Sequence, residues 1–393
     1  MSVKRSLGNS SSAVLKKKKL AGVRTWVELN AQAARKNYNV FRSFIAPRVK
    51  LWAVVKSNAY GHGLFAWSSL LQGFGIDGFC VDSLVEALAL RRVGIKKPLL
   101  VLGHTLPALL GEAREANVTV SVSNFNALQE LARLKHPPLF HVKVDTGMHR
   151  QGFYIEEIPK VIRAVQKARP ELRGLFTHFA SAKDINYPTY TEEQFRKFRK
   201  AIKMFEASGF RSLIKHCAAT GGMMIDKRYH EDAVRVGIGM YGLYPSKELE
   251  TQSLFAPGKR YALSPVLSWH ALIGEIKNLK VGDYVGYDLT ERVTRPTKMA
   301  ILPIGYWHGF PRSLSGIGFA LVNGRRAKVL GRVSMDLIVL DVTGIGCRIG
   351  DRATLIGRDR GAEITAEGIA AQSGTTHYEF LTRLNPLMER IVV

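Results

Sequence analysis

From Ala31 to about Tyr244 the chain alternates short apolar runs with amphipathic stretches, and this alternation most narrows what it can fold into. The runs Gly78–Val81, Pro98–Leu102, Val118–Val122, Leu139–Val144 and Gly174–Phe179 are apolar and often β-branched, which predicts buried strands. Leu84–Arg92, Asn126–Leu134, Ile155–Ala168 and Thr191–Ala207 carry helical spacing. Each unit takes roughly 20 to 40 residues, the repeat that parallel strands joined by helices require. About eight such units predict an α/β fold of the (β/α)8, TIM-barrel type. An open doubly wound sheet uses the same alternation, so the count favours the barrel without deciding it.

The texture changes after the Pro-, Gly- and Lys-containing stretch Ala256–Arg260. Val266–Ile276, Lys298–Pro303, Phe319–Val322, Ala327–Leu330, Leu337–Val342 and Ala353–Leu355 alternate with turn residues and predict a C-terminal all-β domain. The expected division is 25–255 for the barrel and 256–393 for the β domain, with strand 25–30 open to either. A length of 393 residues suits two domains, and 46% hydrophobic residues can fill their cores.

A net charge of +25 needs an account. Residues 1–24 hold seven Lys or Arg and no acid, including the run Lys16–Lys19, and predict a disordered basic arm. The arm lacks the apolar core of a secretory signal, and its Lys-rich, non-amphipathic character is a poor match to a transit peptide. The remaining +18 is spread over the body of the chain, where it attracts anions and binds polyanions without specificity. No helix-turn-helix, zinc-finger or ribonucleoprotein signature predicts a specific nucleic-acid partner. Cys80, Cys217 and Cys347 are odd in number and match no metal-ligand spacing, so no metal is expected and a reducing, cytoplasmic setting is. No apolar stretch is long enough to span a bilayer.

Chemistry in a barrel gathers at the C-terminal ends of its strands. Lys56, Lys143, Asp145, His178, His216 and Arg235 all fall at or just past such ends. The apolar run Leu51–Val55 delivers Lys56 to a Gly-containing turn, within Val54-Val55-Lys56-Ser57-Asn58-Ala59-Tyr60-Gly61-His62-Gly63. An amine partly desolvated there can lose its proton and form a Schiff base with an aldehyde. Tyr60 offers a phenol, and the glycines offer close backbone approach to a phosphate-bearing ligand. A lone lysine after a strand is more commonly a solvated surface group. The ten-residue string changes the reading.

That string closely resembles the pyridoxal-phosphate attachment motif of alanine racemases, differing mainly at Ser57, where the family usually has alanine. The resemblance extends from about Val23 to Val393, with the motifs in the family's order. It implies that Lys56 holds pyridoxal 5'-phosphate covalently, with Tyr60 among the cofactor-binding residues. Lys143-Val144-Asp145-Thr146-Gly147-Met148-His149-Arg150 is similar to the segment in which a carbamylated lysine orients an arginine. Lys143 would carry the carbamate, and Arg150 would contact cofactor and substrate carboxylate. By themselves, these residues also read as a strand-end lysine and a solvated arginine on a following helix.

Thr177-His178-Phe179-Ala180 matches a family segment that makes His178 a partner of the cofactor and the catalytic tyrosine. His216-Cys217-Ala218-Ala219-Thr220 is similar to the family's His-x-x-Asn-Ser. It implies a supporting role for His216 and a phosphate-binding hydroxyl at Thr220, while Ala219 lacks the usual asparagine amide. In Val234-Arg235-Val236-Gly237-Ile238, Arg235 would face the pyridine nitrogen, and the N–H groups of Gly237 and Ile238 would face the phosphate. An arginine keeps its proton, so the nitrogen it faces stays unprotonated and transamination is restrained.

In the β domain, Gly282-Asp283-Tyr284-Val285-Gly286-Tyr287 is similar to the segment carrying the family's second base, which implies Tyr287, with Tyr284 the nearby decoy. A phenol titrates near 10, so this role needs cationic surroundings. Ile304-Gly305-Tyr306-Trp307-His308-Gly309 retains the tyrosine that narrows the substrate entrance, Tyr306, but carries Trp307 and His308 where the family has alanine and aspartate. Gly331-Arg332-Val333-Ser334-Met335-Asp336 matches the element whose Met335 backbone would bind the substrate carboxylate, with Asp336 behind it. Thr375-Thr376-His377-Tyr378-Glu379 supplies Tyr378, which would cap the phosphate and limit the side-chain pocket.

The resemblance thus implies a racemase that interconverts L- and D-alanine by two bases, Lys56 and Tyr287, and supplies D-alanine for peptidoglycan. It also implies a homodimer whose Tyr287 and Met335 serve the partner's site. Three rivals stand beside it. A broad-specificity racemase needs a larger pocket than Tyr378 allows. A barrel-type pyridoxal-phosphate decarboxylase would carry its own Cys-Asp motif in the β domain, which this chain lacks. A non-catalytic cofactor-binding protein would need neither β domain nor Tyr287.

Overall fold

A computed structural model describes residues 22–168, 171–184, 186–255 and 262–393. The expected arm up to residue 21, and the stretch 256–260 expected to separate the domains, lie outside the described residues. The chain divides into two compact units. One comprises Gln32–Ala59 and Trp67–Pro265; the other comprises the segment ending at Ala31, Tyr60–Ala66 and Val266–Val393.

After Thr25–Leu29 (β1), which belongs to the second unit, come eight parallel strands. They are Lys50–Val54 (β2), Gly78–Val81 (β3), Leu99–Val101 (β4), Val120–Val122 (β5), Phe140–Lys143 (β6), Leu172–Phe176 (β7), Ile214–His216 (β8) and Ala233–Val236 (β9). They pair as β4-β3-β2-β9 and β5-β6-β7-β8. Parallel bridges Leu100–Thr119 and Ala219–Arg235 join the two halves into a closed barrel. β3, β6 and β9 are buried at every residue, as strands covered on both faces must be; β3 is accordingly apolar throughout, while β6 and β9 carry His141, Lys143 and Arg235 inside the barrel. Leu84–Arg92, Phe125–Arg133, Ile158–Ala168 and Pro188–Ala207 are among the helices that follow the strands. Ser83 and Asn124 cap the first two through bonds to the N–H groups of Glu86 and Ala127. The last helix begins three residues before its expected start, at a proline that costs nothing in a first turn. β7 ends at Phe176, so Thr177–Ala180 leaves the sheet and forms part of the barrel mouth.

The second unit is a ten-stranded sheet. Its strands after β1 are Leu267–Leu272 (β10), Glu275–Leu279 (β11), Thr297–Leu302 (β14), Phe319–Val322 (β15), Arg325–Leu330 (β16), Ile338–Asp341 (β17), Arg352–Asp359 (β18), Ala362–Ile364 (β19) and Glu389–Val392 (β20). Tyr284–Val285 (β12) and Glu291–Arg292 (β13) pair only with each other, as a separate two-stranded sheet. β1 pairs antiparallel with β10 and parallel with β20, so the first described strand lies inside this sheet. The run expected as one strand over Val266–Ile276 is two. The chain breaks at Ile273-Gly274, and β10 and β11 take different neighbours. Two short helices, Ala366–Gln372 and His377–Thr382, accompany the sheet, capped by Thr365 and Thr376.

Candidate active site

Lys56 follows β2 at the C-terminal end of the barrel, where the backbone turns left-handed. Ser57, Asn58, Ala59 and Tyr60 all have φ between 51° and 56°. Each non-glycine residue held so costs roughly 1–2 kcal/mol, so neighbours must fix the turn. Glu86 does much of this. Its carboxylate accepts from the N–H of Ser57 at 2.7 Å and from that of Asp82 at 2.8 Å, tying the ends of β2 and β3 together. Ser83-x-x-Glu86 reads in sequence as a helix-capping pattern, and nothing in it signals this second duty. The Lys56 side chain is 40% exposed, and its Nζ lies 3.9 Å from Asp82 Oδ1. The amine is thus rigidly based and reachable.

Arg235 lies beside β2 through the pairing Trp52–Arg235 and is 2% exposed. Its terminal nitrogens donate to His216 Nδ1 and to the carbonyls of His216 (3.1 Å), Thr177 (2.8 Å) and Cys217 (3.1 Å). His178 Nδ1 stands 3.5 Å away. The Nε–H is therefore the one Arg235 donor without a protein acceptor among the described residues. His216 in turn meets His141, Nε2 to Nδ1, at 2.8 Å. His141 is a member of this line that the sequence reading passes over, because an inward histidine on β6 hides within an apolar run. Burial and the Arg235 charge push the His141 imidazole down to about 3 and that of His216 well below its usual range. Burial, then Arg235, Arg150, Lys143 and Lys56, likewise hold His178 below the ordinary imidazole value.

Lys143 ends β6 and is 6% exposed, with Nζ donating to Gln151 at 3.1 Å. Burial, with the cations Arg150, Arg235 and Lys56, pushes its amine down to about 8 against the pull of Asp145. Arg150 lies on an irregular loop and is exposed; no helix follows Lys143 directly, contrary to the plainer reading of these residues. Asp145 shapes that loop by accepting from the N–H groups of Gly147, His149 and Arg150 at 2.9, 3.0 and 2.9 Å. Lys143, Arg150, Thr177 and His178 line one small pocket.

Thr220 Oγ1 accepts from the N–H of Gly237 at 3.1 Å and of Gly239 at 3.4 Å. Its own hydroxyl hydrogen is then directed elsewhere. The Gly237 N–H expected to face a phosphate is engaged by Thr220, while Ile238 opens a 3-10 turn whose first N–H has no intrahelical acceptor. Gly239 must be glycine, since a Cβ would stand 2.4 Å from Phe41 and 2.6 Å from Thr220.

This donor set fits pyridoxal 5'-phosphate. Lys56 would supply the attaching amine, Thr220 and Ile238 would supply donors for a phosphate, and the spare Nε–H of Arg235 would suit an unprotonated ring nitrogen. The remaining expected residues lie in the sheet unit. Tyr60 and Tyr378 bring their rings to 6.1 Å, and burial with the Tyr60 neighbour raises the Tyr378 phenol. Gly61 makes its close backbone approach to protein and not to a ligand, because a Cβ there would sit 1.9 Å from the Leu381 carbonyl. Tyr306 and Trp307 donate to the carbonyls of Ser334 and Met335 at 3.0 Å each, so two motifs distant in sequence adjoin. His308 Nδ1 accepts from the Gly305 N–H at 3.2 Å, and Asp336 faces it electrostatically. Tyr287 projects from a turn with Gly286, Asp288 and Leu289 at positive φ, and Asp288 pairs with Arg332 at 3.3 Å.

Two family models match: the alanine racemase N-terminal domain over residues 29–245 and the C-terminal domain over 266–392. The chain is 35% identical to an alanine racemase of Leptospira interrogans, over 94% of this chain and 96% of the relative. It is also 35% identical to one of Methanococcus maripaludis, over 93% and 98%. Among solved structures, the alanine racemase of Bacillus anthracis with bound L-Ala-P superposes with a TM-score of 0.88 at 33% identity, covering 94% of this chain and 95% of that one. That of Streptomyces lavendulae gives 0.85 at 30%, covering 94% and 97%.

Proposed function

We infer the residue roles below from one premise: this chain belongs to the alanine racemase family, and it is an enzyme that interconverts L- and D-alanine. The observation that carries the cofactor assignment is the single unspent donor of Arg235, held by four bonds at the mouth that also holds Lys56. Pyridoxal 5'-phosphate, when bound, withdraws electrons from the substrate α-carbon and so acidifies its proton.

The protein supplies the rest. Lys56 attaches the cofactor through Nζ and, once that amine is free, takes the α-proton of D-alanine. Tyr287 takes the α-proton of L-alanine from the opposite face. Each base becomes the acid for the reverse direction, so the centre is inverted. Arg235 donates through Nε and keeps its proton. Thr220 and Ile238 bind the phosphate, and Tyr60 and Tyr378 belong to the cofactor-binding set. An amine pushed down to about 8 is partly uncharged near neutrality, so Lys143 adds carbon dioxide, forming an N–C bond and releasing a proton. The resulting anion sits among cations and orients Arg150 towards the substrate carboxylate.

Tyr287 and Met335 are 69% and 55% exposed in the single chain, a poor setting for a base or a binding group. A second copy covers them, and each then serves the partner's site with Tyr306 at the entrance. The three unpaired cysteines suit a cytoplasmic enzyme supplying D-alanine for the cell wall. No helix among the described residues is long and apolar enough to cross a membrane.

A chiral assay of purified protein with added cofactor tests this reading. Either enantiomer of alanine should run to the mixture, lysine and arginine should react far more slowly, and serine should be a weak substrate. A small apolar pocket rejects one added hydroxyl by only about 1–3 kcal/mol. Inversion of lysine as fast as alanine would replace this reading with the broad-specificity one, and no inversion of alanine would end it.

A further inference from the structure

Six cations on the outer surface of the barrel unit have no part in this chemistry. In helix Ile158–Ala168, the buried Ile158, Val161, Ile162 and Val165 mark the inward face, while Lys160, Arg163 and Lys167 lie opposite and exposed. In helix Pro188–Ala207, Gln194, Phe198, Ala201, Ile202 and Phe205 point inward, while Arg196, Lys200 and Lys203 lie opposite and exposed. Gln166 Nε2 donates to the Ser208 carbonyl at 3.2 Å, which sets the two helix ends side by side.

Elsewhere on the longer helix, cations are neutralised: Lys197 pairs with Glu193 at 2.9 Å and Arg199 with Glu231 at 3.1 Å. Among the described residues, none of the six makes an ion pair, and Ile158–Ala168 contains no acid. The Lys160 ammonium stands 4.3 Å above the Phe125 ring. Along each helix the charges recur every three to four residues, about 4.5–6 Å apart in rise, forming two neighbouring rows. Like charges so arranged raise the energy of the free protein, and a polyanion relieves that cost.

We propose that this two-helix face binds the phosphodiester backbone of nucleic acid without reading its sequence. Rows of long, flexible cations suit successive phosphates, and contacts to phosphate carry no base information. A membrane fits less well. Among the described residues of the two helices, the one exposed large apolar side chain is Tyr190, in the first turn of the longer helix and about two turns before Arg196, so the charged rows themselves have nothing to bury beneath lipid headgroups. The proposal stands apart from the racemase chemistry, whose barrel residues lie at the strand ends.

The test uses the full chain carrying its cofactor, with labelled DNA of about 30 nucleotides, single-stranded and duplex, titrated by fluorescence anisotropy at low and moderate salt. One variant changes Lys160, Arg163, Lys167, Arg196, Lys200 and Lys203 to Gln; a comparator changes Lys16, Lys17, Lys18 and Lys19 to Gln. The six-site variant should bind about 10-fold or more weakly at low salt, with a shallower salt dependence, and lose more than the arm variant. Its racemisation rate and melting temperature should match wild type. If the six changes together unfold the protein, the three on each helix are made separately, and each set should carry part of the loss. Unchanged DNA binding in the six-site variant, or loss confined to the arm variant, would overturn the proposal. So would tighter binding to phosphatidylglycerol vesicles than to DNA, which would assign the face to a lipid surface.

Discussion

His216 Nε2 stands 2.8 Å from His141 Nδ1, and on its other side His216 Nδ1 accepts from Arg235. A guanidinium only donates, so the His216 proton resides on Nε2 and passes the bond on to His141. Both rings must be neutral for this line to hold. Arg235 is thereby fixed by buried partners.

Keeping these histidines neutral makes stability depend on pH. The folded His141 titrates near 3, far below the unfolded value of 6.5, so the unfolded chain binds more protons between those values. Stability should fall as pH drops through that window, by up to roughly 1.4 kcal/mol per pH unit for each such histidine. Urea midpoints at descending pH check this. His141→Gln should flatten the decline while keeping an acceptor for His216; an unchanged slope would contradict the account.

Lys143 should carry a carbamate that forms more readily as pH rises through about 8, where its amine loses its proton. Carbon-13 NMR after equilibration with labelled bicarbonate should show one carbamate signal, lost in Lys143→Ala. Activity should fall with it as Arg150 loses its orienting anion. A wild-type spectrum without the signal would remove the modification from the account.

Glu86 should matter more than its exposed hydrogen bonds suggest. Glu86→Ala leaves two N–H groups to water and should cost about 1 kcal/mol of stability. Because it loosens the Lys56 turn, cofactor attachment should slow as well, which absorbance on mixing with pyridoxal phosphate would follow. Normal attachment kinetics in a destabilised variant would reduce Glu86 to an ordinary structural contact.

Much of the barrel is legible because its strands are buried on both faces. Gly78–Val81 and Leu84–Arg92 occupy the residues expected of them. Other features follow from contacts that no local pattern reports. The left-handed sense of Ser57–Tyr60 runs against the preference of Ser57, Ala59 and Tyr60, and only the pairing of β2 with β3 brings Glu86 there to hold it. His141 and His216 lie 75 residues apart and meet only through the order of β6, β7 and β8. Gly61 reads as a ligand-facing glycine, yet the Leu381 carbonyl is what excludes a side chain. His308 takes up the Gly305 N–H, so the turn that begins at Tyr306 is capped by an imidazole and carries no carboxylate charge there.

Tyr287→Phe should retain bound cofactor and lose racemisation by about 10²-fold or more, the usual scale for one general base. Exchange of the α-proton in deuterated water separates the faces, and D-alanine should keep more of its exchange than L-alanine. Equal loss of α-proton exchange from the two enantiomers would argue against opposed bases, and near wild-type racemisation would exclude Tyr287.

The central claim is that Lys56 is the residue to which the cofactor attaches, and borohydride reduction followed by peptide mapping tests it most directly. The account predicts a single pyridoxyl label on the peptide containing Lys56, with label and racemisation both lost in Lys56→Ala. Label on another lysine, or none on a protein that still racemises alanine, would contradict it.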